Sequence, residues 1–278
     1  MTREQKYLAF CALHERPGPF VIPNPWNAGT ARILSALGFE ALATTSAGYA
    51  FAAGRLDSSA GLERGEVLEN ARSIVEATNL PVSADLEDGF GQSPETCAST
   101  IGLACEAGLV GGSIEDATGD PDRPIYDFEL AVERVAAAAE AARGNSFLLT
   151  ARAENFLHGR PDLDDTIRRL QAFADAGADV LYAPSLPTLD AIREVCRSVA
   201  KPVNVVMGLS GASYSVEELG AAGVKRISVG GSLARAALGE FLRAAREIKE
   251  RGTFSYVADA MPHSEARGFM ARVAQPAN

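Results

Sequence analysis

The chain has 278 residues, 47% of them hydrophobic, and a formal net charge of −10. That length suits one large domain or two ordinary ones, and it buries a full core without disulfides or metal staples. The acidity and the lack of any basic run argue against nucleic acid and anionic membrane surfaces as partners.

The first residues, "MTREQKYLAFCALHER", are charged and lack the apolar run of a signal peptide; they read as an extra helix before residue 19. Eight short β-rich runs follow. They are "PFVIPN" (19–24), "EALATTS" (40–46), "PVSADLE" (81–87), "VGGSIED" (110–116), "FLLTARAENF" (147–156), "DVLYAPS" (179–185), "PVNVVMG" (202–208) and "RISVGGS" (226–232). Alanine-rich amphipathic stretches such as 128–143 and 163–176 lie between them, which is the alternation of a parallel α/β sheet. Four helix ends repeat as small residue, glycine, short linker and strand: "ALGFEALAT", "EAGLVGGSI", "DAGADVLYA" and "AAGVKRISV". Glycine there supplies the left-handed C-cap. Eight units without a compositional break predict a closed (β/α)8 TIM-type barrel as a single domain over 1–278. A long helix over about 232–251 completes the eighth unit. Residues 253–278 read as a C-terminal helical extension with a loose tail, free to pack on a partner subunit.

Cys11, Cys97, Cys105 and Cys196 form no CxxC pair and no metal-ligand spacing, so they read as reduced thiols of a cytoplasmic protein. No apolar run approaches membrane-spanning length.

Functional side chains of a barrel sit at the C-terminal ends of its strands. There the third run ends in "DLEDG" and the fourth in "EDA". Strand period puts Asp85 and Glu87 on one face, and Arg152 and Glu154 on one face. Asp85, Glu87 and Glu115 can converge on one hard cation. Magnesium accepts one or two carboxylates with water and substrate oxygens, and the lack of His or Cys nearby argues against zinc. Spacing alone fits acids paired with arginine equally well. Arg152, in an otherwise apolar strand, needs an anion: Glu154, a neighbouring acid or a substrate carboxylate. "TTSAG" (44–48) offers hydroxyls and small-residue amides in a tight turn, which suits either an anion nest or an ordinary turn. "VGGS" at 229–232 lacks a partner in the seventh run and reads as structural.

Taken together, "PNPWNAGTARI", "ATTSAG", "GRLDSS", "PVSADLEDGFG", "GSIEDA" and "ARAENF" resemble, in order, the isocitrate lyase/phosphoenolpyruvate mutase superfamily. The resemblance runs from about residue 19 to 235. It implies a barrel that uses magnesium, with manganese as the alternative, on a small 2-oxo acid. It also implies a homotetramer, a dimer of dimers whose last helices are swapped between subunits. By the same resemblance, Asp85 is the direct metal ligand, Glu87 and Glu115 hold metal-bound waters, and Asp57 approaches the metal. Ser46, Ala47 and Gly48 cradle the substrate carboxylate, Arg152 binds the substrate, and Trp26 and Asn204 line the pocket. Arg152, Asp57 and Glu115 are thus the candidate catalytic residues.

One segment departs from the superfamily. Its lyases carry a cysteine-bearing "KKCGH"-type loop after the fourth strand, and its mutases a lysine and an asparagine. Here residues 116–129 read "DATGDPDRPIYDFE", without Cys, Lys or His. The expected activity is a magnesium-dependent carbon–carbon lyase on a 2-oxo or 2-hydroxy di- or tricarboxylate. It would resemble either an oxaloacetate decarboxylase or a lyase of 2-methylisocitrate or dimethylmalate. The alternatives are a phosphonopyruvate hydrolase or mutase, and a 2-oxo acid binding protein without turnover. Tyr49, Tyr126 and His158 are substitutes for the missing acid, with His158 read chiefly as a surface-loop residue.

Overall fold

The structure, a computed structural model, describes residues 1–57, 61–209 and 211–271. The elements run α1 (Arg3–Glu15), β1 (Phe20–Ile22), α2 (Ala28–Ala36), β2 (Leu42–Ala43), α3 (Ser46–Ala52), α4 (Arg64–Glu76), β3 (Val82–Asp85), α5 (Pro94–Glu106) and β4 (Gly111–Glu115). They continue with α6 (Phe128–Ala142), β5 (Leu148–Arg152), α7 (Leu163–Asp175), β6 (Val180–Tyr182), α8 (Leu189–Ser198), β7 (Val203–Val206), α9 (Val216–Ala221), β8 (Arg226–Ser228) and α10 (Ser232–Arg251). A short 3-10 turn (Ser255–Ala258) and α11 (His263–Ala271) follow. The tail expected beyond residue 271 lies outside the described residues, as do Ser58 and Ser59 of the "GRLDSS" run.

All eight expected strands form, and every pairing is parallel, in the order β1-β8-β7-β6-β5-β4-β3-β2. The seam between β1 and β2 is joined by the Ala43 amide, which donates to the Pro23 carbonyl at 3.1 Å. Buried Asn24 stitches it further. Its Nδ2 donates to the Thr44 carbonyl, and its Oδ1 accepts from the amides of Val229 and Gly230. The fold is therefore a nearly closed (β/α)8 barrel. The "VGGS" amides serve this internal stitch, in keeping with their structural reading. The four repeated helix-end glycines, Gly38, Gly108, Gly177 and Gly223, have φ between +88° and +111°, as C-capping requires.

Two kinds of side chain alternate along the strands. Leu149, Ala151, Leu181, Val205 and Ile227 belong to the main apolar core, which lies between the barrel wall and its helices. Their neighbours Thr150, Arg152, Tyr182, Asn204, Arg226 and Ser228 point the other way, into the lumen. An Arg226 to Thr150 hydrogen bond shows this, because it joins β8 to β5 across the barrel. The lumen toward the strand ends is thus polar, whereas most barrels fill it with branched aliphatics, and only its N-terminal end is apolar, with Phe20, Ile22 and Leu148.

Helix α1 plugs the N-terminal end. Its Phe10 is fully buried against Phe20, Ile22, Val110 and Leu148. One turn on, the Phe10 carbonyl accepts from His14 Nδ1 at 2.8 Å, while the buried Nε2 has no partner among the described residues. Burial, and then the charge of Arg226, push the His14 pKa from 6.5 down to about 3. The folded state holds this ring neutral, so the unfolded chain takes up the proton first as pH falls below about 6.5. The contribution is complete above that pH and is lost progressively toward about 3. Wild type should therefore lose about 2 kcal/mol more than His14→Gln between about pH 7.5 and pH 5. Urea titrations at the two pH values measure this, and parallel losses would show that His14 is not held neutral.

Candidate active site

A cavity of about 620 Å³ opens at the C-terminal ends of the strands. Asp57, Asp85, Glu87, Glu115, Arg152 and Asn204 all line it, as do Ser46 and Ala47. Sequence-distant candidates are therefore brought together at one place.

Local chemistry explains the positions. The Thr45 side chain caps α3 by accepting from the Gly48 amide at 3.2 Å. Thr44 Oγ1 accepts from the Asp85 amide at 3.0 Å, which ties β2 to the end of β3. Asp85 Oδ2 accepts from the Ser46 hydroxyl at 2.8 Å and from its amide at 3.3 Å. The other oxygen, Oδ1, receives Arg152 Nη1 at 3.1 Å.

Arg152 sits among three carboxylates. Nε meets Glu154 Oε1 at 2.7 Å, Nη1 meets Asp85, and Nη2 meets Glu115 Oε2 at 3.0 Å. The guanidinium also lies over the Tyr182 ring, 5.0 Å from its centroid. Burial alone would lower the Arg152 pKa, but Glu115, Glu154 and Asp85 raise it well above the usual value. Burial raises the Glu115 pKa strongly; Glu154, Asp85 and Glu87 add to this and Arg152 opposes it. Glu87 is pushed up to about 8 by burial and by the charges of Asp85, Asp88 and Asp57.

Several expectations need correction. Strand β3 ends at Asp85, and Glu87 has φ +49°, a left-handed conformation costly for a side chain with a Cβ. Glu87 reaches the cavity through this turn and not through strand alternation. The Gly48 amide is engaged by the Thr45 cap, so it is not a free donor for a substrate carboxylate. Trp26 is not among the residues lining the cavity; its Cβ lies 3.1 Å from where a Gly48 Cβ would stand. His158 lines the cavity, with Nε2 3.9 Å from Glu154 Oε2, so it is more than a surface-loop residue. Tyr126 donates to Asp88 at 3.2 Å and, like Tyr49, does not line this cavity. The segment after β4 folds as a small hairpin, with Ala117 bridged to Ile125, and Gly119, Asp120, Pro121 and Pro124 face the cavity.

Arg226 and Tyr182 also line the cavity and were not anticipated. Their signal is strand alternation: Arg226 and Ser228 flank outward-facing Ile227.

Seven carboxylates line the cavity against two arginines among the described residues. These carboxylates, strongly negative together, fit a hard divalent cation better than the single imidazole of His158 fits a softer one. No group of three acidic, imidazole or thiol side chains among the described residues is arranged to enclose an ion. A cation here would rest on one or two carboxylates, with water completing its shell, which magnesium tolerates.

Comparison with known proteins agrees with the fold. The sequence model of the family described as phosphoenolpyruvate phosphomutase matches residues 10–249, and the chain belongs to that family. A solved structure of a lyase/mutase candidate from Burkholderia cenocepacia J2315 is 58% identical, with a TM-score of 0.95 over 98% of each chain. An uncharacterised protein of Mycobacterium tuberculosis is 30% identical over 246 residues, covering 87% of this chain and 90% of the relative. The 2-methylisocitrate lyase of Escherichia coli is 28% identical over 261 residues, covering 91% and 88%. Family members are lyases and related enzymes. No helix among the described residues is long and apolar enough to cross a membrane.

Proposed function

We propose that this protein is a magnesium-dependent carbon–carbon lyase acting on a small 2-oxo or 2-hydroxy di- or tricarboxylate. The observation that carries this reading is the excess of buried carboxylates around Arg152 at the strand ends. The likeness to 2-methylisocitrate lyase supports it. Asp85 would hold the ion directly, with Glu87 and Glu115 holding its waters and Asp57 at the rim. When bound, the ion supplies positive charge opposite the substrate oxygens as the neighbouring bond breaks.

The chain's own groups do the rest. Ser46 and Ala47 orient the substrate carboxylate. Arg152, held between Asp85, Glu115 and Glu154, would present its guanidinium to the substrate carboxylate. His158, facing Glu154, is within reach to exchange a proton with the departing fragment. The hairpin after β4 carries no Cys, Lys or His, which favours decarboxylation over phosphoryl transfer. The same absence supports a second reading, a 2-oxo acid binding protein without turnover.

The test is pyruvate release from oxaloacetate, 2-methylisocitrate, 2,3-dimethylmalate, isocitrate and phosphonopyruvate, with magnesium and with EDTA. Isocitrate would be cleaved to glyoxylate and succinate without pyruvate, so for it glyoxylate is followed instead. Magnesium-dependent turnover of a carbon acid supports the lyase. Turnover of phosphonopyruvate alone overturns it, and metal-dependent binding without product favours the second reading.

We further propose a homotetramer with exchanged C-terminal helices. Phe241 on α10 is 70% exposed, and Phe254 and Val257 beyond it are 63% and 67% exposed, an apolar face of the kind a partner covers. Light scattering is expected to give four times the monomer mass, about one quarter of which would be found if the chain stays single.

A further inference from the structure

We infer that Arg226 determines specificity for a second carboxylate of the substrate, binding it at the floor of the cavity. The inference rests on the 2-oxo or 2-hydroxy di- or tricarboxylate reading above and adds the side chain that would hold the second carboxylate.

Arg226 is buried and lines the same cavity as Asp85. Its Nε donates to Asn204 Oδ1 at 2.8 Å and its Nη2 to Thr150 Oγ1 at 2.9 Å. Asn204 is oriented in turn, because its Nδ2 donates to Ser228 Oγ at 3.1 Å. These partners are neutral, so they aim the guanidinium without cancelling its charge. The third nitrogen, Nη1, is buried and has no partner among the described residues. Burial pulls its pKa down to about 10, with only Tyr182 opposing. A buried cation with an idle donor is costly, and an arriving carboxylate removes that cost.

Arg152 is in the opposite condition, with each of its three nitrogens on a carboxylate. The uncommitted positive charge of the cavity is therefore at its floor. Thr150 precedes Arg152 by two residues on the same face of β5, so the Arg226 contact lies about 7 Å deeper along the strand. A short dicarboxylate spans that interval, with its 2-oxo or 2-hydroxy acid end at the strand ends. Lactate and malate share that acid end, and malate adds one carboxylate.

Calorimetry in magnesium, with oxalate, lactate and malate as probes, tests this on wild type, Arg226→Met and Arg226→Lys. Wild type is expected to bind malate roughly ten- to a hundredfold more tightly than lactate. Arg226→Met should keep its oxalate and lactate affinities and lose the malate advantage; Arg226→Lys should keep part of it. If the Met variant does not fold, the wild-type and Lys comparisons carry the test. Equal binding of malate and lactate by wild type, or an undiminished advantage in the variants, overturns the assignment. So does a loss confined to thermal stability, as expected if Nη1 only meets water near His14. Failure of all three probes to bind wild type overturns the 2-oxo acid reading itself, whereas oxalate binding without a malate advantage overturns only the role of Arg226.

Discussion

Asp85→Ala is expected to abolish magnesium-dependent ligand binding and to lower catalytic efficiency by roughly a hundredfold or more, about 3 kcal/mol or greater. Its carboxylate is fixed by the Ser46 hydroxyl and by Arg152, and it stands at the end of β3 beside Glu87. A hard cation that keeps most of its water depends heavily on its one direct carboxylate. The same substitution should leave the melting temperature unchanged or raise it. The site carries surplus negative charge, and removing one carboxylate still leaves Arg152 with Glu115 and Glu154. Calorimetry with magnesium and oxalate, alongside kinetics on the turned-over acid, separates the two effects. Retained metal-dependent binding in a folded Asp85→Ala protein would remove Asp85 from the ligand set.

Removing Arg152 should have the opposite signature. In Arg152→Met, Asp85, Glu115 and Glu154 would face one another without their counter-charge. Glu154 is fully buried and its Oε2 has no hydrogen-bond partner among the described residues, with His158 Nε2 3.9 Å away. Breaking a buried ion pair by deleting one member costs about 3–5 kcal/mol. The side chains of Asp85 and Glu115 keep some contact with solvent, at 21% and 18% exposure, so the lower end of that range applies. Chemical denaturation is the measurement. Magnesium should restore part of the lost stability, because it supplies positive charge to the same acids. A variant as stable as wild type, with no response to magnesium, would show that these carboxylates are not electrostatically coupled through Arg152.

Much of this architecture was legible from pattern alone. Eight apolar runs with glycine-capped helices between them are local signals, and each local signal falls where the strand or helix forms. The residues of "DLEDG", "EDA" and "ARAEN" followed from a further rule, that strand ends carry the chemistry. What stayed hidden depended on contacts across the lumen. Arg226 and Thr150 are 76 residues apart and on non-adjacent strands, so no periodicity connects them. The reach of Glu87 was obscured for another reason. Strand alternation stops at Asp85, and the left-handed turn after it sets the direction of the side chain. "TTSAG" and "NPWNAG" encode helix starts as well, which the motifs alone did not reveal: Thr45 caps α3 through the Gly48 amide, and Asn27 caps α2.

The placement of the apolar core outside the barrel wall has a consequence for how such a protein changes over time. Side chains such as Leu149, Val205 and Ile227 secure the fold from the outer face, while Thr150, Asn204, Arg226 and Ser228 occupy the lumen. Exchanges on the inner set alter what the cavity accepts and leave the wall-to-helix packing intact. Selection can therefore retune ligand preference at such positions without disturbing the wall-to-helix core, Arg152 excepted, because it also neutralises Asp85, Glu115 and Glu154. For an engineer, Asn204, Arg226 and Ser228, which line one cavity, and Thr150, bonded to Arg226, form a compact library of few sites, whereas Arg152 and Leu148 on the same face as Thr150 also hold the fold together.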